Sequence, residues 1–459
     1  MSNYEIETVP TLLKNCCTNT LGTNHFCGNG SLLVGNKRSR CNECGQEVHA
    51  EAWRSNDIPP RVYLRKYCPT CGVTSSRIAS DARFYYVTEQ DTACACGTEG
   101  CGTAVLGENA KTASQLHTCT LVVEIVRGCN LSCPTCYADS PKASNDAELG
   151  LLPFDAFVEQ VRTVLDRQDR IDILQLSGGE PTLHPELFRI IEWLAREGRV
   201  SDVLLTTNGI KLADPLFMER LQAIVPRGRF AVYLQFDGTQ KSGQVALRGG
   251  DFRSIRERAM HACQLAQIPV ALVMTVSHDT KFGCGSALAY ALSDDNVRWV
   301  VYQPEFMSGR NEPQKRLEVP INVADVIHSI ARGGILNLGS WIPLPCSDPN
   351  CGMVGFLVRI GGRWQPISNI LDVNVFTPLI VNRVNFDTDD SLSSCGCDTF
   401  SLRDYLERLG LSRRDVKMVF IKPFMDVRTW DVARIATCCT HVLTPEGVMD
   451  SFCRYYGTR

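Results

Sequence analysis

The chain has 459 residues, of which 44% are hydrophobic and 21% charged, and its formal net charge at pH 7 is -3. This length exceeds one average domain, and the composition is ordinary for a chain that buries a large core. The weak net charge argues against a basic surface for nucleic acid or membrane. The chain also contains no run of about 18 or more apolar residues, which spanning a bilayer would require.

Cysteine is the unusual component, with 23 copies in the chain. Residues 1–5 show neither the cationic head nor the apolar core of a secretory signal, so a disulfide framework is not expected. We therefore predict a cytoplasmic location, where clustered thiols indicate metal sites.

The first cysteine groups lie in the N-terminal region. Cys16, Cys17 and Cys27 stand in a polar stretch with no spacing that we can assign. Two Cys-x2-Cys pairs follow, and such pairs form a closed tetrahedral site that suits zinc or a single iron. We predict a structural role for this site, with an electron relay as the alternative. The pairs are Cys41 with Cys44 and Cys68 with Cys71.

Two further groups have uneven spacing. Four thiols directly precede the next apolar run, and their spacing suits a fully ligated auxiliary iron-sulfur cluster better than zinc. These are Cys94, Cys96, Cys101 and Cys119. A C-terminal set could supply one more cluster, although the spacing does not identify its four ligands. It comprises Cys346, Cys351, Cys395, Cys397, Cys438, Cys439 and Cys453. Cys263 and Cys284 stand alone and are expected to be inert.

A Cys-x3-Cys-x2-Cys loop follows the apolar stretch 121–126. Its thiols, Cys129, Cys133 and Cys136, can hold three corners of a cubane 4Fe-4S cluster. The fourth iron then stays free to bind a ligand other than protein, which a cluster with four cysteine ligands cannot do. The alternative is a zinc site or a set of buried free thiols.

From this loop to about residue 310, strand-length apolar runs alternate with amphipathic helical stretches. Repeated β-α units predict parallel strands joined by right-handed crossovers, with functional residues at the C-terminal strand ends. The predicted strands are 122–126, 173–177, 203–207, 232–236, 270–275 and 299–303, and the predicted helices include 154–165, 185–196, 217–225 and 252–267.

Polar residues follow the predicted strands. In Gly178-Gly179-Glu180-Pro181 the glycines permit close approach of the backbone to a ligand, and the carboxylate can accept hydrogen bonds from an ammonium group. Arg248 could clamp a carboxylate bidentately. Four more side chains at the C-terminal ends of the predicted strands are candidates for ligand contact, although each segment could also be an ordinary turn. They are Thr207, Asn208, Gln235 and Asp237.

With these motifs the chain resembles the radical S-adenosylmethionine (SAM) enzymes. In that superfamily the open iron chelates SAM, and an electron from the cluster cleaves SAM to a 5′-deoxyadenosyl radical. The resemblance implies an α/β fold with a partial (β/α)6 TIM-type barrel, in which the Gly-Gly-Glu-Pro segment holds the SAM amino group. It also implies a low-potential electron donor, ferredoxin or flavodoxin.

Residues 40–455 are similar to one subgroup, which contains archaeal tetraether lipid synthase and the pterin-methylating radical SAM proteins. The motifs that carry this similarity are His117-Thr118-Cys119, Pro345-Cys346-Ser347-Asp348-Pro349-Asn350-Cys351 and the ending from Cys438-Cys439-Thr440-His441 to Phe452-Cys453. The similarity implies a rubredoxin-like site on the two Cys-x2-Cys pairs and an auxiliary cluster on the group that ends at Cys119. It implies a second auxiliary cluster as well. The ligands would be Cys346, Cys351, Cys453 and one of the adjacent residues Cys438 and Cys439, for which we take Cys439.

We therefore predict an N-terminal extension (1–35), a rubredoxin-like four-cysteine module (36–90), an auxiliary cluster segment (91–120), a radical SAM partial barrel (121–335) and a C-terminal auxiliary cluster domain (336–459). The predicted activity abstracts hydrogen from an unactivated carbon and forms a carbon-carbon bond, by lipid-chain coupling or by alkylation of a small molecule. The apolar stretches 353–360 and 376–381 could line a lipid cavity, although ordinary core is the favoured use. The alternatives are aminocarboxypropyl transfer, which leaves methylthioadenosine, and a non-catalytic metal-binding module.

Overall fold

The structure is a computed structural model that describes residues 32–87, 118–311, 319–344, 348–370 and 410–457. Most of the predicted extension 1–35 and of the predicted segment 91–120 lies outside these ranges. The apolar stretch 376–381 lies outside them as well. The cysteines outside the described residues are Cys16, Cys17, Cys27, Cys94, Cys96, Cys101, Cys346, Cys395 and Cys397.

The N-terminal unit has four strands, β1 (Leu32–Arg40), β2 (Glu47–Arg54), β3 (Val62–Cys68) and β4 (Gly72–Ala79). They form an antiparallel sheet in chain order. Buried and more exposed side chains alternate along β3, which is the pattern of a sheet with one covered face. The two Cys-x2-Cys pairs lie at the β1–β2 and β3–β4 turns, so the sheet brings them to the same end. The predicted boundary at residue 36 lies within β1.

Six parallel strands form the centre of a second sheet: β5 (Thr120–Val126), β6 (Ile171–Gly178), β7 (Val200–Thr207), β8 (Phe230–Gln235), β9 (Val270–Val276) and β10 (Val297–Pro304). They pair side by side in chain order. Each predicted strand matches an observed one to within a few residues. The predicted α/β partial barrel is therefore confirmed.

Helices connect these strands and cover the outside of the barrel: α1 (Phe154–Gln168), α2 (Leu187–Arg196), α3 (Pro215–Ile224), α4 (Lys241–Arg248), α5 (Arg253–Leu265), α6 (Cys284–Leu292) and α7 (Val323–Ala331). Local sequence sets their starts. The Asp214 side chain accepts a hydrogen bond from the amide of Leu216 at the start of α3, and Asn322 with Asp325 forms a capping box on α7. None of the helices in the described ranges has the length and apolar character that crossing a membrane requires.

The strand register assigns side chains to the two faces of this sheet. Leu121 and Leu174 are paired across β5 and β6, and both are buried in the core that α1 and α2 cover. Val122 and Gln175 are paired on the opposite, concave face. We call the space on the concave side of β5–β10 the lumen.

The C-terminal part adds β11 (Trp341–Pro343), β12 (Met353–Ile360), β13 (Arg363–Pro366), β14 (Val416–Ile421), α8 (Val432–Ala436), β15 (Thr440–Leu443), β16 (Met449–Ser451) and α9 (Phe452–Gly457). β14 pairs with β10 and β15 with β5, both in parallel. The C-terminal residues thus extend the barrel sheet at both edges. β12 is the apolar stretch 353–360, and its first six residues are buried as ordinary core.

The four-stranded unit docks on the C-terminal part and on α7. Lys37 forms a buried ion pair of 2.8 Å with Asp431, and the Ser39 hydroxyl donates to the Trp430 carbonyl at 2.6 Å. On the other side, a nitrogen of the Arg77 guanidinium lies 3.2 Å from the carboxylate of Asp325. These polar contacts fix the unit against the barrel.

Candidate active site

The three thiols of the cysteine loop lie just beyond the C-terminal end of β5. The Cys136 amide donates to the Cys133 carbonyl at 3.3 Å, and the Cys129 amide donates to the Pro141 carbonyl at 2.9 Å. All three thiols are free and only partly buried. Unpaired thiols that share one folded loop fit the ligand set of an iron-sulfur cluster.

Burial and a neighbouring cation act in opposite directions on the pKa values of the thiols. Burial raises the pKa of the Cys129 thiol to about 12. Burial also raises the pKa of Cys133, although the neighbouring Arg248 charge opposes that shift. A bound cation reverses such shifts, because it neutralises the thiolates that ligate it.

Two glycines let the segment after β6 lie directly against the cysteine loop. A Cβ on Gly178, which has a φ of +122°, would lie 1.9 Å from the carbonyl oxygen of Val126, and a Cβ on Gly179 would lie 2.1 Å from that of Gly128. The Gly179 amide donates to the Val126 carbonyl at 2.8 Å. The close approach that the glycines permit is therefore to the backbone of the cysteine loop.

The Glu180 carboxylate is buried and accepts four hydrogen bonds from the protein. Two come from Thr182, through its hydroxyl at 2.5 Å and its amide at 3.2 Å. The Thr207 hydroxyl donates at 2.6 Å and the Asn208 amide at 2.8 Å. Burial raises the pKa of Glu180, and these hydrogen bonds oppose the shift. The carboxylate thus joins the ends of β6 and β7.

Asn208 extends this network to the cysteine loop. Its side-chain amide donates to the Asn130 side chain at 2.7 Å. Asn130 follows Cys129, whose thiol lies 3.8 Å from the side-chain amide oxygen of Asn130. The predicted residues Thr207 and Asn208 therefore lie within hydrogen-bonding reach of the loop through Glu180 and Asn130.

Arg248, at the end of α4, binds the Asp237 carboxylate rather than facing solvent. Two guanidinium nitrogens donate to Asp237 at 2.6 and 2.9 Å, and one of them also donates to the Thr275 hydroxyl at 3.0 Å. The Gln235 side-chain amide donates to Asp237 at 2.8 Å. Burial alone would raise the pKa of Asp237, but the Arg248 charge holds it below its ordinary value. The predicted carboxylate clamp is thus already engaged within the protein.

Arg256 in α5 was missed by the sequence analysis. Its side chain is 1% exposed, and its Nε donates to the Gln235 carbonyl at 2.6 Å. Both terminal guanidinium nitrogens lack a hydrogen-bond partner among the described residues. Burial lowers the pKa of Arg256 to about 10. The signal was present in the sequence, because Arg256 shares the buried face of the helix with Ala259 and Cys263.

Polar side chains line the lumen near the C-terminal strand ends. The Gln175 side-chain amide donates to the Thr206 hydroxyl at 2.8 Å, and that of Gln303 donates to the Tyr233 hydroxyl at 2.9 Å. Glu124 lies on the same face of β5 as Val122 and also points into the lumen. The barrel centre is therefore a hydrogen-bonding environment.

The four-cysteine site of the N-terminal unit is already assembled. The sulfur atoms of its four cysteines all lie within 4.8 Å of one another. Among the described residues, no other group of three or more candidate metal ligands is as compact. Such compact sulfur ligation suits one ion. The four residues are Cys41, Cys44, Cys68 and Cys71.

A family model described as the radical SAM superfamily matches residues 123–281, which cover β5 to β9 and the cysteine loop. The chain contains a radical SAM domain. A second model, described as the HMPTM N-terminal zinc ribbon domain, matches residues 33–80. Both the predicted superfamily resemblance and the predicted four-cysteine module are confirmed.

Similar proteins include 7,8-dihydro-6-hydroxymethylpterin dimethyltransferase of Methanocaldococcus jannaschii, which is 24% identical over 72% of this chain and 75% of that protein. Human molybdenum cofactor biosynthesis protein 1 is 24% identical over 64% of this chain and 44% of that protein. Among solved structures, Streptococcus suis SuiB bound to precursor peptide SuiA is 14% identical with a TM-score of 0.37, over 48% of this chain and 45% of that one.

A second set of thiols lies outside the matched radical SAM segment. Cys351, Cys438 and Cys453 lie close enough to perturb one another's pKa. Burial raises the pKa of Cys351 to about 11, and the Arg434 guanidinium, whose nitrogen lies 3.8 Å from this sulfur, opposes the shift. Three partly buried thiols beside a cation fit a thiolate-ligated centre. The fourth predicted ligand, Cys346, lies outside the described residues.

The adjacent residues Cys438 and Cys439 each interact with other parts of the chain. The Cys438 thiol lies close enough to Cys351 and Cys453 for them to influence its pKa, and the choice of Cys439 as the ligand stays a prediction. The Cys439 carbonyl accepts a hydrogen bond from the Cys119 amide at 2.9 Å, and the Cys439 thiol influences the pKa of His441.

Proposed function

We propose that this radical SAM protein alkylates, and most simply methylates, an unactivated carbon of a small heterocyclic molecule and so forms a carbon-carbon bond. The observation that carries this proposal is the polar lumen beside the cysteine loop. Tyr137, which follows Cys136, packs against Tyr456 with ring centroids 4.9 Å apart, and the Tyr456 hydroxyl donates to the Glu124 carboxylate at 2.6 Å. The lumen therefore begins next to the loop.

The polarity of the lumen favours a small polar substrate over a lipid chain. A hydrocarbon chain in contact with Gln175, Gln303 and Glu124 would remove water from polar groups without replacing its hydrogen bonds, which costs free energy. A heterocycle with ring nitrogens and exocyclic groups can replace them. The similarity to 7,8-dihydro-6-hydroxymethylpterin dimethyltransferase supports the same substrate class.

In this proposal Cys129, Cys133 and Cys136 hold the 4Fe-4S cluster, and the Gly-Gly-Glu-Pro segment holds SAM against it. When bound, the cluster supplies the electron that cleaves SAM to a 5′-deoxyadenosyl radical. Glu180 positions the segment, because its carboxylate already accepts four hydrogen bonds from the protein. Arg256 provides the cation for the SAM carboxylate, since Arg248 is paired with Asp237.

The remaining residues of the lumen exclude water and orient the substrate. Phe306 and Phe452 pack against Tyr137 with ring centroids 5.9 and 5.7 Å apart, and this aromatic cluster fills one side of the lumen. Such enclosure keeps water away from a reactive radical. The polar side chains from β5, β6, β8 and β10 fix the orientation of the ring.

Electrons reach the site from a low-potential donor, ferredoxin or flavodoxin. We further propose that Cys351, Cys438 and Cys453 ligate an auxiliary cluster that supplies or accepts electrons during the reaction. The zinc ribbon is structural in this proposal. Its docking contacts support that role, since Lys37 and Ser39 hold the segment around Trp430 that leads into Arg434.

The decisive experiment is anaerobic turnover of the reconstituted full chain. The protein is loaded with iron and sulfide, SAM carrying an isotope-labelled methyl group and dithionite are added, and the products are identified by mass spectrometry. With 7,8-dihydro-6-hydroxymethylpterin in the reaction, we expect one SAM molecule to yield 5′-deoxyadenosine and methionine. A second SAM molecule should transfer its labelled methyl group to the pterin and leave S-adenosylhomocysteine, with dithionite supplying one electron for each SAM molecule.

Two thiol variants provide the comparison. Cys133→Ala should abolish 5′-deoxyadenosine formation. Cys263→Ala should retain it, because this buried thiol lies in α5 and not in the cysteine loop. Methylthioadenosine as the SAM product would instead establish aminocarboxypropyl transfer. Label in an acyl chain but not in the heterocycle would overturn the substrate class.

A further inference from the structure

The Glu124 carboxylate is a lumen group whose individual contact with the substrate the proposed reaction leaves open. It lies on β5 and is partly buried, with its side chain on the concave face of the sheet. Within the described ranges, no lysine, arginine or histidine nitrogen lies within 4.0 Å of it, although many other carboxylates of the chain form ion pairs. A partly buried carboxylate without a cation is costly unless hydrogen-bond donors surround it.

Two phenols hold this carboxylate in place. The Tyr455 hydroxyl donates to one oxygen at 2.8 Å, and the Tyr456 hydroxyl donates to the other at 2.6 Å. Burial raises the pKa of Tyr456 well above its ordinary value, so its phenol stays protonated and remains a donor. Each carboxylate oxygen can accept more than one hydrogen bond, and both therefore keep capacity for a ligand.

The surroundings favour a flat ligand. The Tyr137 ring packs edge-on against Tyr456 with ring centroids 4.9 Å apart, so aromatic surface adjoins the carboxylate. The amides of Gln175 and Gln303 lie on the same concave face of the sheet. Aromatic rings with nearby amides can stack on a planar ring and match its polar edge.

We propose that Glu124 is the specificity-determining residue for the substrate, and that it binds an edge with two N–H donors, as in a 2-amino-4-oxopyrimidine ring. This inference rests on the proposed function and narrows its substrate class. The two oxygens of a carboxylate match two parallel N–H groups, as they match the fork of a guanidinium group. Tyr455 and Tyr456 are positioning residues, because they set the orientation of the carboxylate.

The test measures equilibrium binding to the reconstituted holoprotein, with SAM present and reductant absent. The ligands are 7,8-dihydro-6-hydroxymethylpterin and its analogue in which oxygen replaces the 2-amino group. We expect the wild type to prefer the amino compound by about tenfold or more, as for a hydrogen bond to a charged group. Glu124→Gln should lose or reverse this preference, because its amide nitrogen opposes one N–H group of the amino compound but can donate to the oxygen of the analogue.

Control variants separate recognition from folding. Glu159→Gln changes an exposed carboxylate of α1 and should keep the wild-type preference. Tyr456→Phe retains the carboxylate but removes one of its two hydrogen bonds, so it should reduce the preference without abolishing it. In Glu124→Gln one tyrosine hydroxyl can still donate to the amide oxygen and the other can accept from the amide nitrogen, and we therefore expect the variant to fold.

The outcomes distinguish this inference from the proposed function. If Glu124→Gln keeps the full preference, or if the wild type binds the two compounds equally, the assignment to Glu124 is overturned. Formation of 5′-deoxyadenosine from SAM and dithionite by both proteins would leave the radical chemistry standing in that case. If the wild type forms no 5′-deoxyadenosine, the proposed function and this inference are overturned together.

Discussion

Arg248 and Asp237 form a two-point ion pair inside the barrel mouth, with nitrogen–oxygen distances of 2.6 and 2.9 Å. Asp237 is fully buried and has a φ of +59°, so the chain itself turns sharply to present the carboxylate to the guanidinium. Arg248 also interacts with the Cys133 thiol. The pair therefore joins α4 and the end of β8 to the cysteine loop.

We expect Arg248→Met to destabilise the protein by about 3–5 kcal/mol, because it leaves the Asp237 carboxylate buried without its partner. Chemical unfolding followed by circular dichroism measures the effect. The matched control is Arg253→Met, which breaks the more exposed pair with Asp251 and should cost less than about 1 kcal/mol. Equal losses in the two variants would contradict the buried-pair explanation.

Gly179→Ala should prevent normal loading of the cluster. The new methyl group would lie 2.1 Å from the Gly128 carbonyl oxygen, so the cysteine loop would have to move. Iron and sulfide content after anaerobic reconstitution measures the effect. Gly198→Ala is the control, because its Cβ meets no atom within 4 Å, and it should load iron as the wild type does. Full loading of Gly179→Ala would show that the loop tolerates the displacement.

Lys37→Met should weaken the docking of the zinc ribbon. Lys37 and Asp431 are 6% and 8% exposed, and removal of the cation leaves the carboxylate buried, at a cost of about 3–5 kcal/mol. Arg38→Met breaks a pair with Glu47 in which both side chains are about half exposed, and it should cost less than about 1 kcal/mol. The free energy of unfolding of the zinc-loaded variants measures both effects. A cost for Arg38→Met as large as for Lys37→Met would exclude the proposed role of the buried pair.

Asp202→Asn should stabilise the protein at pH 8, and the gain should shrink as the pH falls. Burial raises the pKa of Asp202 from 3.8 to about 6, so the folded protein holds this proton more tightly than the unfolded chain does. The ionised carboxylate therefore destabilises the fold fully above about pH 6, and the penalty decreases toward pH 4. The gain at pH 8 should reach up to about 3 kcal/mol. Unfolding titrations at pH 8 and pH 5.5 check this prediction, and a gain that is larger at pH 5.5 would contradict it.

Local sequence patterns were sufficient for the framework of the barrel. The apolar runs at 122–126 and 173–177 predicted β5 and β6, because a buried parallel strand needs a continuous apolar segment of that length. The spacing of Cys129, Cys133 and Cys136 placed a thiol loop at the end of the first of these strands. Short-range spacing of this kind is fixed by the chain itself, and it needs no knowledge of distant residues.

Side-chain partners across the barrel depended on the tertiary structure. Glu180 was expected to face a ligand, yet it is surrounded by donors from its own turn and from the end of β7. Arg248 was expected to face a ligand as well, and it binds Asp237. A polar residue at a strand end can point toward the ligand or toward its neighbours, and only the packing of adjacent strands decides which.

The sequence by itself determined the α/β order, the zinc ribbon pairs and the cysteine loop, since each depends on residues that are close in the chain. Only the tertiary structure brought Cys438 close to Cys351 and Cys453, because these residues lie in separate segments of the C-terminal part. It also brought Glu124 and Tyr456 together over 332 residues of chain. The physical reason is that strand register and helix docking are set by the burial of the whole core, which no local segment specifies.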